Sequence, residues 1–182
     1  MVELNELALF NIQEELLDYS DSISAVLGSV SNDTLMEDLL TNERVDTVYH
    51  AAAYKHVPLV EENICESVKN NVFLTFNLAE AALKYNVSNF VLISSDKAVR
   101  STNIMGATKR LAEICVQSIY DNQNQKSKFS IVRFGNVLES SGSVIPKFKQ
   151  QIKEGGPVTL THPDVTRYFM TCLLYTSPSP RD

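Results

Sequence analysis

Asp96 and Lys97 set a carboxyl group and an amine side by side, directly after the apolar run Asn89-Phe-Val-Leu-Ile-Ser94. An adjacent acid and base can serve an elimination, one taking a proton from carbon while the other protonates the departing oxygen. Ser95 adds a hydroxyl next to them, and Lys109 follows near the start of an apolar-periodic segment. A strand that ends in acid and base groups and faces a lysine-bearing helix is how α/β enzymes build sites at the carboxyl edge of a sheet. Four positions before Lys109 stands Met105, whose thioether neither takes up nor relays a proton.

The elements that must position these groups read as alternating short apolar runs and longer helical patterns. Strands are expected at Leu7–Phe10, Ile23–Leu27, Val45–His50, Phe90–Ser94 and Phe129–Phe134. Helices are expected over 12–19, 33–40 (capped from among Ser31, Asn32 and Asp33), 64–85, 105–120 and 144–153. Short extended pieces are expected at 158–161 and 168–171. Strands separated by helices of this length imply an α/β fold, a doubly wound parallel sheet.

Such a sheet that binds a dinucleotide normally opens on a strand running into Gly-x-Gly-x-x-Gly, whose glycines let the backbone approach a pyrophosphate. The glycines here, at 28, 106, 135, 142, 155 and 156, do not supply it. The expectation is therefore a truncated sheet, its first strand and Gly-rich loop absent, and a chain inactive by itself. Residues 172–182, Cys-Leu-Leu-Tyr-Thr-Ser-Pro-Ser-Pro-Arg-Asp, break the preceding pattern and read as the translation of a sequencing-library adapter. They are set apart from a partial domain over residues 1–171.

With 44% hydrophobic residues in 182 the chain can build a sizeable core. Its net charge of −6 argues against a nucleic-acid partner. Lys55, Lys97, Arg100, Lys109, Arg110 and Arg167 lie near loops instead, which suits a local site for a small anion. The cysteines, at 65, 115 and 172, share no short spacing, so neither a zinc site nor a disulfide framework is expected and a reducing compartment fits. No signal peptide and no apolar run of membrane-spanning length is present in the sequence, so a cytoplasmic domain is expected, with any membrane anchor lying in segments outside this chain.

Taken together, His50-Ala-Ala-Ala-Tyr-Lys-His-Val-Pro-Leu-Val-Glu61, Asn70-Asn71, Ser95-Asp-Lys-Ala98, Met105-Gly-Ala-Thr-Lys-Arg110, Arg133-Phe-Gly-Asn-Val137 and Gly142-Ser-Val-Ile-Pro146 resemble the nucleotide-sugar 4,6-dehydratases. The branch is the CapD-like one of the extended short-chain dehydrogenases, with a Rossmann-like fold, and the likeness runs from about residue 6 to 171. It implies loss of water from a UDP-N-acetylhexosamine such as UDP-GlcNAc, with bound NAD or NADP taking hydride from C4 and returning it to C6. The product is a 4-keto-6-deoxy sugar for surface polysaccharide. The resemblance makes Asp96 the acid, Lys97 the base, Ser95 a positioning hydroxyl and Lys109 a partner of the nicotinamide ribose. Met105 stands where a tyrosine usually acts at the C4 hydroxyl, which resembles the long membrane-anchored members; Asp96 or a water takes that proton.

By the same resemblance the cofactor lies against Ala51, Ala52 and Ala53. Asn11, at the end of the expected first strand, stands where an acid usually binds the adenosine ribose. Ser29 and Val30 stand in for the Asp-Val of an adenine contact, and NAD and NADP both stay open. Lys55, His56, Asn136, Ser143, Val144 and Arg167 are expected around the UDP-sugar, and a homo-oligomer when the protein is complete. A nucleotide-sugar 4-epimerase and a non-catalytic dinucleotide sensor are the alternatives.

Overall fold

The structure is a computed structural model that describes residues 1–121, 127–138, 144–160, 164, 166 and 168–171. It forms two compact units, Met1–Val132 and Arg133–Asp182.

In the first unit, β1 (Val2–Glu3) is followed by α1 (Glu6–Glu15), a 3-10 segment (Leu17–Ser22) and β2 (Val26–Leu27). β1 and β2 pair in parallel, Val2 opposite Val26. α2 (Asp33–Asn42) then leads to β3 (Thr47–His50), and α3 (Val57–Glu62), α4 (Ile64–Val68) and α5 (Leu74–Lys84) lead to β4 (Asn89–Ser95). α6 (Ile104–Asp121) connects to β5 (Lys128–Phe134). β3 and β4 are parallel, Thr47 opposite Asn89, in a sheet ordered β3-β4-β5. Strands joined through helices, pairing in parallel, are the doubly wound α/β architecture expected. Its hydrogen bonds fall into two sheets, β1-β2 and β3-β4-β5, within this unit.

Alternation along β4 explains where the core sits. Phe90, Leu92 and Ser94 are buried, while Val91, Ile93 and Ser95 are half-buried. Against the buried face pack Leu78, Ala79 and Ala82 of α5 and Ala112, Val116 and Ile119 of α6, with Met36 and Leu40 of α2 completing the cluster. The small alanines let both helices approach the strand closely. Phe90 and Leu92 have no exposed surface, and each contributes roughly 1.5–3 kcal/mol by burial.

The run Leu7–Phe10, expected as a strand, is helical, and this is a correction. Asn5 takes the N-cap, its Oδ1 accepting from Ala8 N at 2.9 Å, and Glu6 follows in the first turn. A short apolar run looks alike in a buried strand and on a helix face, and here the cap decides. The expected strand at 23–27 shortens to Val26–Leu27, and the helix expected over 12–19 is displaced towards the amino end. α2 starts at the expected Asn32 cap, whose Oδ1 accepts from Leu35 N.

The single helix expected over 64–85 is α4 and α5 joined by a π-turn, Lys69–Phe73, with α3 as an unexpected short helix before it. π-turns insert an extra residue into an α-helix, often at functional sites. This one carries Asn71 into the interior.

In the second unit, β6 (Asn136–Val137) pairs in parallel with β7 (Phe169–Met170), and α7 (Val144–Lys153) covers the expected helix. The piece expected at 158–161 is not a strand over its described residues 158–160.

Candidate active site

The site grows from the carboxyl end of β4. Ser94 Oγ donates to Glu113 Oε1 at 2.6 Å, and Arg110 Nη1 donates to Glu113 Oε2 at 2.9 Å. Glu113 is 1% exposed, so its charge is tolerated only because both oxygens are paired. The strand end is thereby tied to the middle of α6.

Ser95, still extended, caps a 3-10 turn formed by Asp96–Ala98. Its hydroxyl accepts from Lys97 N at 3.2 Å and donates to Asp96 Oδ1 at 3.0 Å. Lys97 Nζ donates to the same Oδ1, also at 3.0 Å. Ser95, Asp96 and Lys97 therefore meet at one oxygen atom. The Lys97 and Asp96 side chains are 25% and 29% exposed, which leaves them open to a ligand rather than sealed in the core.

Gly106 fixes what faces this turn. A Cβ there would sit 2.3 Å from Lys97 O, so only glycine lets the first turn of α6 lie against the Asp96–Ala98 backbone. That turn is capped twice, by Asn103 Oδ1 accepting from Gly106 N and by Glu61 Oε1 accepting from Ile104 N. Met105 is buried beside it.

One turn on, Lys109 is 8% exposed and donates to Ile93 O at 2.7 Å. Burial holds its ammonium below the usual lysine range, with the Glu113 carboxylate pulling the other way. An ammonium has three N–H groups, and Ile93 O is its acceptor among the described residues. The remaining donors call for a hydroxyl-rich partner.

His50, at the end of β3, is buried, and its Nε2 lies 2.9 Å from Thr75 Oγ1. The Thr75 hydroxyl spends its one proton on Asn71 O at 2.8 Å. It must therefore accept from His50, which places the imidazole proton on Nε2. Burial, and then the positive charge of Lys109, push the His50 pKa down to about 4.

Asn71 links the remaining pieces. It is 1% exposed; its Oδ1 accepts from Tyr54 N at 2.8 Å, and its Nδ2 donates to Tyr54 O at 3.0 Å and to Thr108 Oγ1 at 3.1 Å. The segment after β3 and the α6 turn bearing Lys109 are thus held by one carboxamide. The motif Asn70-Asn71 does not by itself reveal this role, which comes from a buried carboxamide inside an irregular helical turn.

The structure brings Ser95, Asp96, Lys97, Met105 and Lys109 together at the β4–α6 junction. Ala51, Ala52 and Ala53 follow β3 as expected. Lys55 and His56 line a cavity of about 500 Å³ with Ala53, Tyr54 and residues of α3 and α4. Ser29 lies after β2, its hydroxyl 2.7 Å from that of Ser31, and Val30 packs against the core cluster.

Asn11 needs correction. It is exposed on α1, not at a strand end. The acid at the end of β1 is Glu3, whose Oε1 accepts from Asn5 N at 2.8 Å. Reading Val2-Glu3 as the strand would have found it. In the second unit, Asn136 sits on β6, with both its N and its Nδ2 donating to Tyr168 O, and Val144 opens α7. Ser143 and Arg167 lie outside the described residues.

Parallel strands wound with helices, with a strand leading into Ser-Asp-Lys against a helical lysine, are the architecture of the extended short-chain dehydrogenases/reductases. A family described as polysaccharide biosynthesis protein matches residues 1–173, and the chain belongs to it, in its CapD-like branch. The capsular polysaccharide biosynthesis protein CapD of Staphylococcus aureus is 51% identical over 169 residues, covering 91% of this chain and 28% of CapD. Among solved structures, Pen from Bacillus thuringiensis superposes with a TM-score of 0.86 at 38% identity, over 93% of this chain and 54% of that one. A double mutant of DesIV, a dTDP-glucose 4,6-dehydratase from Streptomyces venezuelae, with NAD bound, shares the fold at a TM-score of 0.78 and 18% identity, over 88% of this chain and 54% of that one. The chain thus spans about half, or less, of the relatives it matches. No helix among the described residues is long and apolar enough to cross a membrane.

Proposed function

We propose that this chain carries the acid–base centre of a UDP-N-acetylhexosamine 4,6-dehydratase, with UDP-GlcNAc as substrate, serving surface-polysaccharide synthesis. The observation that carries the reading is the Lys97 Nζ to Asp96 Oδ1 contact of 3.0 Å at the strand end, backed by Gly106. NAD or NADP is the cofactor that fits. Buried Lys109 has donors left for ribose hydroxyls, Glu3 offers a carboxylate at the end of β1, and Ala51–Ala53 present small side chains. When bound, the nicotinamide supplies removal of hydride from C4 and its return to C6.

The chain's own residues supply the rest. A C4 ketone acidifies the C5 proton; Lys97, as the neutral amine, takes it and gives a proton back to C5 as C6 is reduced. Asp96 gives a proton to the departing C6 hydroxyl, which leaves as water. Ser95 keeps Asp96 oriented through its hydrogen bond to Oδ1. Lys109 positions the ribose through the donors that Ile93 O leaves unused. Met105 carries no proton, so the C4 hydroxyl proton passes to Asp96 or to water. The complete protein works as a homo-oligomer in the cytoplasm, anchored at the membrane by segments outside this chain.

The test is incubation of the complete protein with NAD and UDP-GlcNAc in deuterated water. A 4-keto-6-deoxy product carrying deuterium at C5 supports the reading. Recovery of the C4 epimer without a keto sugar identifies an epimerase, and an unchanged substrate points to a sensor.

A further inference from the structure

Glu113 takes no part in the chemistry proposed above, yet it is a fully buried carboxylate directly behind the site. A plain tie between β4 and α6 needs no ion. A neutral carboxamide at the same place would hold Ser94 without the desolvation that a carboxylate carries. The charge therefore serves something else. Arg110 is one partner, but its side chain is 47% exposed, so water screens that attraction and the pair contributes little. Lys109 is the other. It is buried, and it stands four positions before Glu113 on the inward face of α6, the spacing that makes helix side chains neighbours. Burial loosens the proton of Lys109, and the Glu113 carboxylate tightens it. The elements around Lys109 offer no second anion of this kind among the described residues. β3 presents His50, kept neutral by burial and by Lys109 itself. The turn after β4 presents Asp96, already paired with Lys97, and the π-turn and α5 bury uncharged Asn71, Thr75 and Leu78. Lys109 and Glu113 also grip consecutive residues of β4, at Ile93 O and Ser94 Oγ, just before Ser95.

We infer that Glu113 is a positioning residue, the counter-charge that keeps Lys109 an ammonium with donors to spare for the cofactor ribose. The inference rests on the ribose-binding task given to Lys109 above. Glu113 acts through Lys109 and Ser94, not on the sugar or the dinucleotide. The dependence runs one way, because Arg110 still pairs with the carboxylate when Lys109 is replaced.

The test separates the charge from the hydrogen bond. Glu113→Gln keeps an oxygen for Ser94 and removes the charge; Ser94→Ala keeps the charge and removes the bond. Carbon-13 NMR of the Lys109 side chain, assigned with Lys109→Met, follows its proton against pH in the 182-residue chain. Glu113→Gln moves the midpoint down by roughly one pH unit or more, the scale of a buried charge pair, and Ser94→Ala leaves it nearly in place. In the complete protein, Glu113→Gln weakens NADH binding roughly tenfold at pH values between the two midpoints, the worth of a charge-assisted hydrogen bond. An unmoved Lys109 midpoint in Glu113→Gln, or an equal shift in Ser94→Ala, overturns the inference. Should Glu113→Gln not fold, the double variant Glu113→Gln, Lys109→Met decides by urea denaturation. With no ammonium to serve, the carboxylate is dispensable, and the double variant matches Lys109→Met in stability. A double variant that also fails to fold overturns the inference. The lysine titration needs neither cofactor nor sugar, so it and the deuterium experiment can fail separately.

Discussion

Substituting Gly106 by alanine opposes two effects of opposite sign. In an ordinary helix interior Gly→Ala gains about 1 kcal/mol from propensity. Here the new methyl would lie 2.3 Å from Lys97 O, and Lys97 C is 3.1 Å away. Ordinary van der Waals contact requires the first turn of α6 to withdraw by roughly 1 Å. The obstacle is backbone, not the tip of a flexible side chain, and Asn103 and Glu61 hold that turn through its capping N–H groups. Overpacking of this kind costs about 1–3 kcal/mol, occasionally more. The expected net result is a loss of about 0–2 kcal/mol and a fall in Tm of up to roughly 8 °C for a chain of this size. Urea denaturation and thermal melts of Gly106→Ala beside the unaltered chain measure it. A Tm that rises, as propensity alone demands, refutes the claim that glycine is there for the close approach.

Other perturbations read other parts of the site. Asp96→Asn and Lys97→Met each remove one partner at the shared oxygen, and each should lower keto-sugar formation by the complete protein at least 100-fold while dinucleotide affinity changes little. Lys109→Met relieves a buried charge that has one protein acceptor, so the fold should gain stability at neutral pH while NAD affinity falls; calorimetry of both separates the two effects. His50 titrates near 4 when folded and near 6.5 when unfolded, so its contribution is intact above pH 6.5 and is lost as pH falls towards 4. That contribution is about 3 kcal/mol, and His50→Gln should flatten stability against pH across this window. Lacking a Gly-x-Gly-x-x-Gly loop, the 182-residue chain should show no tight NAD binding by fluorescence titration, and nanomolar affinity would overturn that reading of its glycines.

Much of the first unit was legible because the periodicities there are long. α6 shows apolar residues at helical spacing over five turns, and β4 alternates along its whole length, so both were found with their ends nearly right. The acid–base pair was legible for the same reason, since a well-marked strand leads into it. The amino-terminal segment was not. Two-residue strands carry no periodicity, and the apolar residues of α1 sit close enough together to imitate a strand; the Asn5 cap is the better clue. The π-turn escaped because the apolar spacing from Val68 to Leu83 is nearly helical throughout, and nothing in a hydrophobic pattern marks one extra residue. The tasks of Asn71, Glu113 and Gly106 are tertiary, set by what lies opposite each of them, and composition does not carry that information.

The π-turn also has a bearing on how this helix tolerates changes of length. Because it adds one residue without rephasing the flanking helices, removing a residue between Lys69 and Phe73 would leave the inward faces of Ile64–Val68 and Leu74–Lys84 pointing as they do now. The same deletion in α5 would turn Leu78, Ala79 and Ala82 away from the sheet. Scaffold integrity and the grip on the Tyr54 backbone are therefore separable at this one spot: a shortened helix could keep its packing and still lose the bracket that aligns two walls of the cleft.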